Sequence, residues 1–185
     1  MRNRKIIGMI IILAGVILIG SSIMVNLQQN RLRDALMEDY KAGSLELTPS
    51  GDAKDSDVLY VLRIPSIESE NPVREGIEKG VLKDSLGHDS NSTYAGQPGN
   101  CVIAGHRNYT FGKFFNRLDE VKIDDLIYLD TADETYTYKV VDIKIVAPNE
   151  DSVLNQSNSK EVLTLYTCTP LYIATHRLVI IAKRL

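Results

Sequence analysis

The sequence predicts a mainly β domain, closed as a sandwich or barrel, behind one N-terminal transmembrane helix. Two observations carry the β assignment. Six separate runs are rich in Val, Ile, Thr and Tyr, with few helical stretches between them. The longest, Thr135–Val146 (TYTYKVVDIKIV), alternates along its length, with Tyr136, Tyr138, Val140, Asp142, Lys144 and Val146 on one side. A third observation sets the helix apart: no residue from Ile6 to Asn30 is charged.

Taken in chain order, the apolar run Ile6–Ile19 continues through Gly20-Ser21-Ser22 into Ile23-Met24-Val25. About 20 apolar residues span a bilayer as a helix. The flanking Arg2, Arg4 and Lys5 have no acid near them, so this end is expected in the cytoplasm and the following domain outside. No A-x-A-like cleavage site follows, which favours a retained anchor over a removed signal. Residues 26–57 are polar. Leu27–Tyr40 is expected to form an amphipathic helix through Leu32, Ala35, Leu36 and Tyr40, and Thr48-Pro49-Ser50-Gly51-Asp52 is loop chemistry. The expected organisation is 1–25 cytoplasmic tip and anchor, 26–57 stalk, and 58–185 folded domain.

Within that domain Val58–Ile64 reads as a strand stopped by Pro65. Cys101–Ala104, Leu126–Leu129, Thr135–Val146, Glu161–Thr167 and Leu178–Ala182 follow as strands. Short helices are expected within Gly76–Leu86 and Phe111–Leu118, with a helical turn at Asp151–Leu154. The whole chain carries a net charge of −3; setting the cluster Arg2, Arg4 and Lys5 aside leaves the remainder at about −6. A mildly acidic domain without a basic block argues against nucleic acid as a partner. Two cysteines are too few for a disulfide-framed secreted fold.

Three segments carry residues suited to acyl transfer. Thr164-Leu165-Tyr166-Thr167-Cys168 is a strand-forming run ending in a cysteine, with Pro170 close behind. Ala104-Gly105-His106-Arg107-Asn108 ends a strand in glycine and histidine, and Thr175-His176-Arg177-Leu178 opens the last strand. A thiolate attacks carbonyls, a histidine hands a proton to a leaving amine, and an arginine braces a developing oxyanion. Composition alone does not assign these roles to Cys168, His106 and Arg177. Strand alternation sorts the neighbours. If His106 faces a site, Cys101 faces away and reads as a small buried hydrophobe. If Arg177 faces it, His176 points outward. His88, in a Gly/Asp/Ser/Asn loop, either lines a cleft or is solvated.

Together these motifs resemble the sortase family over residues 58–185. Thr164–Cys168 is similar to the family's TLxTC signature, with Arg177 nine residues on. Ala104-Gly105-His106 is similar to its histidine strand, and Leu62-Arg63-Ile64-Pro65-Ser66-Ile67 to its opening strand. Phe115-Asn116-Arg117-Leu118 through Asp125 resembles the segment that follows the histidine, with Asp124 where glycine is common. The resemblance implies a closed β-barrel of about eight strands with short helices, anchored on the outer face of a Gram-positive cell. It implies Cys168 as nucleophile, His106 as general acid/base and Arg177 as oxyanion or substrate stabiliser. Thr167 and His88 are the expected substrate-contacting residues. The implied substrates are secreted proteins with LPxTG-like C-terminal signals, cleaved between Thr and Gly through a thioacyl enzyme. The implied acceptor is an amine such as a lipid-linked peptidoglycan precursor. Gly87-His88-Asp89 through Pro98-Gly99-Asn100 looks class D-like. Thr167–Pro170 with Thr175–Leu178 looks like the pilin-polymerising class C, the second choice, although without any Trp its usual lid is not recognisable. A hydrolytic exported cysteine peptidase and a non-enzymatic anchored β-domain remain the alternatives. No cofactor is implied. Asp124, Asp125, Asp130, Asp133 and Glu134 lack calcium-loop spacing and read as a solvated acidic face, so no metal is expected.

Overall fold

The computed structural model describes residues 2–41, 58–107, 114–131, 133–150, 160–171 and 173–185. One helix, α1 (Arg2–Lys41), carries the apolar stretch Ile6–Val25, which is long and apolar enough to cross a membrane. The helix does not break at the end of that stretch. Its C-terminal part runs through the predicted amphipathic segment and packs against the first two strands. Leu36 is buried there. Burial pushes the Tyr40 hydroxyl up to about 12, with the Asp130 carboxylate adding to the effect.

Eight strands close into a barrel: β1 (Val58–Ile64), β2 (Ser69–Glu75), β3 (Leu86–His88), β4 (Gly99–Ala104), β5 (Leu126–Asp130), β6 (Thr135–Val146), β7 (Glu161–Thr169) and β8 (His176–Arg184). Their order around the barrel is β1-β2-β3-β4-β7-β8-β6-β5. Closure leaves no free sheet edge. The β4–β7 and β2–β3 pairs are parallel and the rest antiparallel. A short helix, α2 (Lys79–Leu82), makes the β2–β3 crossover that a parallel pair requires.

The core follows from the period of two along each strand. Tyr60, Leu62 and Ile64 of β1, Leu163 and Leu165 of β7, and Leu178, Ile180 and Ala182 of β8 point inward. Phe115, Leu118 and Val121 join them from the connection after β4. A second apolar cluster, Val162, Val179 and Ile181 with Val146 and Tyr166, lies on the opposite face of β6–β8. That split decides which face each later residue presents.

The predicted strands are present, and β6 keeps its predicted limits. Two strands were not predicted. β2 contains Pro72, which sits just before the ladder to β3 begins at Val73↔Leu86. β3 is three residues long, too short to leave a pattern. The helix expected at Phe111–Leu118 is a correction over its described part. Residues 114–117 form turns, Phe114 takes a positive φ of 50°, and a 3-10 turn covers Leu118–Glu120. Phe115 and Leu118 are drawn into the core three residues apart, and turns achieve that as well as a helix does. The turn expected at Asp151–Leu154 lies outside the described residues. The acidic stretch is held by individual partners: Asp130 by Arg63, Asp124 by Lys139, and Asp125 by the Lys122 N–H.

Candidate active site

Cys168 lies within β7, two residues short of Pro170. The strand runs two residues past its predicted end at Thr167, because Thr169 still pairs with His176 before Pro170 ends the ladder. Leu163, Leu165 and Thr167 face the interior, so Cys168 faces outward with Val162 and Tyr166. It is half-buried and has no disulfide partner. On β8, Arg177 stands directly opposite Cys168 in the antiparallel register. Val179 and Ile181 share its outward face, so Cys168 and Arg177 are cross-strand neighbours on one surface. The Arg177 Nη1 donates to the His176 carbonyl at 3.2 Å.

The third residue arrives from the other side of β7. Ala104 of β4 pairs with Tyr166 in parallel register. The Gly105 N–H then donates to the Tyr166 carbonyl at 3.2 Å, and the Thr167 hydroxyl donates to the Gly105 carbonyl at 2.7 Å. Extended two residues past the last pair, Ala104↔Tyr166, this register leads to His106 and Cys168. Glycine is required at 105 by packing: a Cβ there would lie 2.5 Å from both Leu86 Cδ2 and Phe115 Cδ2. The chain therefore turns out of the core at Gly105 and leaves His106 exposed on the outward side. Among the described residues no hydrogen bond holds the His106 ring. Cys168, with Arg177 opposite it on β8 and His106 two residues past the end of β4, makes a row on the outward side. That row sets a thiol, an imidazole and a guanidinium side by side, the residue types that acyl transfer uses.

A sortase domain family model matches residues 62–185. The chain belongs to the sortase family. It is 27% identical to a sortase D of Bacillus subtilis over 98% of each chain. Among solved structures it superposes on a Clostridium perfringens sortase D5 transpeptidase with a TM-score of 0.69, at 26% identity, covering 85% of this chain and 98% of that one. It superposes on the pilus island 1 sortase C2 of group B Streptococcus with a TM-score of 0.66, at 33% identity, covering 69% of this chain and 74% of that one. The protein is thus a cysteine transpeptidase, and its N-terminal helix is a candidate membrane anchor.

The remaining sequence-singled residues fall elsewhere in this sortase. Cys101 is 1% exposed and inward-facing, opposite Leu163, so it cannot reach Cys168 across the sheet. Burial first, and then the charges of Glu161 and Glu75, push its thiol up to about 12. His176 is exposed, its Nδ1 3.0 Å from the Thr175 hydroxyl. Thr167 is buried, and its hydroxyl is spent on Gly105; its visible role is to lock β7 to the end of β4.

His88 corrects both readings of a loop histidine. It belongs to β3, is fully buried, and pairs with Ile103 on the interior side. Its Nδ1 lies 3.2 Å from the Glu75 carboxylate. Its Nε2 lies 3.1 Å from both the Thr93 carbonyl and the Ser92 hydroxyl, and its ring stacks on Tyr94 at 4.8 Å. Ser92, His88 and Glu75 resemble a hydrolytic triad in outline only. The Ser92 hydroxyl donates to the Asp89 carbonyl at 2.7 Å and accepts from the Val102 N–H, so it has no free proton to give the ring.

Sequence reasoning passed over Arg107. Its side chain is 9% exposed and is bound to Thr169 and Asp119. An arginine beside a histidine carries no sequence signal of burial; only the fold brings its partners together.

Proposed function

We propose that this sortase cleaves an LPxTG-like sorting signal between Thr and Gly and transfers the acylated protein to an amine. The supporting observation is the row His106–Cys168–Arg177 on one outward face of β4, β7 and β8. Cys168 Sγ attacks the Thr carbonyl carbon, and the oxyanion that forms lies beside the Arg177 guanidinium. His106 gives a proton to the departing Gly amine as the C–N bond breaks, leaving a thioacyl enzyme. The incoming amine attacks that thioester, His106 takes its proton, and Cys168 leaves as the thiolate. The acceptor we favour is a lipid-linked peptidoglycan precursor. An anchor over 1–25 and a stalk over 26–57 hold the catalytic domain, 58–185, outside the membrane. The cationic Arg2, Arg4 and Lys5 stay in the cytoplasm. The overall similarity to a sortase D along the whole chain favours the class D-like reading.

The test uses the full chain in detergent micelles with a quenched LPxTG peptide and candidate amines. The wild type is expected to release the Gly-led fragment and, with amine present, to yield the ligated product. Cys168→Ala is expected to fall to the uncatalysed background. Cleavage that survives in that variant overturns the mechanism. Release of acid at every amine concentration favours the hydrolytic peptidase instead.

A further inference from the structure

Arg107 directly follows His106, but it lies on the other side of the sheet. Its side chain is 9% exposed and its guanidinium holds two separate pieces of chain. Nη1 donates to the Thr169 hydroxyl at 2.7 Å, on the residue after Cys168. Nη2 pairs at 2.7 Å with Asp119, in the 3-10 turn Leu118–Glu120. Nε is buried and has no hydrogen-bond partner among the described residues.

A guanidinium keeps its charge at any physiological pH, so burial costs solvation that only partners restore. Among the described residues Nε adds nothing to that compensation. An apolar side chain filling the same space would be expected to stabilise the barrel at least as well. What an apolar side chain lacks is the rigid fork, which holds two oxygen acceptors in fixed relation. One acceptor is on the strand of Cys168, and the fork itself is attached to the residue after His106. Thr169 alternates with Cys168, so its side chain is buried while Cys168 faces outward. The clamp therefore sits beneath the sheet while the reacting groups sit above it.

We propose that Arg107 is a positioning residue that sets the reach of His106 to Cys168. This rests on the reading of those two residues as acid/base and nucleophile. A misplacement of about 1 Å between reacting groups costs about 100-fold in rate. Arg107→Ala is therefore expected to lower kcat on the LPxTG peptide about 100-fold. KM should stay within a few-fold, because the guanidinium does not face the substrate side.

The deciding measurement needs no turnover. The full chain in detergent micelles is alkylated with iodoacetamide across a pH series, and mass spectrometry reads Cys168 and Cys101 separately. Four proteins are compared: wild type, Arg107→Ala, His106→Ala and the double variant. The expected result is that Arg107→Ala moves the Cys168 pH profile towards that of His106→Ala, and that the double variant coincides with His106→Ala. An Arg107→Ala profile that overlays the wild type overturns the proposal. So does an equal effect of Arg107→Ala with and without His106, because a purely structural loss does not depend on the histidine. A His106→Ala profile that overlays the wild type overturns the underlying reading of the pair as well, and so separates the two failures. Alkylation of Cys101, which is 1% exposed, marks a loosened barrel. If Arg107→Ala shows it, Arg107→Gln keeps a donor towards Thr169 and decides by the same comparisons.

Discussion

His88 and His106 stand at the two ends of what a barrel does with an imidazole. His88 is fully buried, with Glu75, Ser92, Thr93 and Tyr94 around it. His106 is exposed, with no hydrogen bond to its ring among the described residues. The buried ring has every polar atom committed, which makes it a fastener for β2, β3 and the turn after β3. The exposed ring has no polar atom committed to a described residue, the state expected of a ring that serves a substrate or a thiol. A polar group that is fully satisfied within the protein stabilises; one left open at a strand end is available for chemistry.

The largest expected break in this comparison comes from removing each ring in turn. His106→Ala is expected to lower kcat/KM on the peptide by about 100- to 10,000-fold, with the melting temperature little changed. His88→Ala is expected to do the reverse. It removes the contacts of the ring with Glu75, Ser92 and Thr93 and lowers stability by about 1–3 kcal/mol, while activity per folded molecule persists. His176→Ala is expected to do neither. Peptide kinetics and thermal melts on the same preparations settle the ranking, and a reversed order sinks the histidine assignment. Next in size, Arg177→Lys is expected to lower kcat by about 100-fold, because an ammonium does not reproduce the planar fork beside Cys168. Wild-type rates in that variant would remove Arg177 from the chemistry.

The smallest effect is a pH dependence that sharpens the contrast between the two cysteines. Burial pushes the Cys101 thiol from 9.0 up to about 12. Burial also pushes the hydroxyls of Tyr60 and Tyr138 upward. The unfolded chain therefore loses these protons first as pH rises. The sign follows: the contribution to stability is fully present below about pH 9 and is lost as pH climbs towards 12. Denaturation midpoints that hold steady between pH 9 and pH 11 contradict the buried, protonated state of Cys101.

Much of this architecture is legible in the residues, because alternation is a local property. β6 shows its period of two only as far as Val140, where a bulge shifts the register and turns Asp142, Lys144 and Val146 to the outer face while Ile143 packs inward. The same rule of alternation turns Cys101 away from the face of His106. The proposed row His106, Cys168 and Arg177 stands out in the sequence because each residue sits beside a strand end marked by glycine, proline or a β-branched run. What is not legible is whatever depends on a partner distant in sequence. Ser69–Glu75 becomes a strand only because β1 supplies its ladder, despite Pro72. His88 looks like loop chemistry until Glu75 and Thr93 close around it. Arg107 looks like a surface cation until Asp119 and Thr169 reach it.

The strand order has one more consequence, and it concerns time. β8 lies C-terminal to every other strand, yet it is inserted between β7 and β6 rather than added at an edge. Until it docks, the barrel is open, Cys168 has no arginine opposite it, and the outer cluster of Val179 and Ile181 with Val162 is unmade. His106 and Cys168 are themselves joined by a parallel pairing of strands far apart in sequence, a contact that forms slowly against chain entropy. On the proposed roles, a partly made or partly folded chain is therefore an unarmed one. The thiol gains its full set of neighbours only when the last strand seals the cylinder, so reactivity arrives together with completion of the fold.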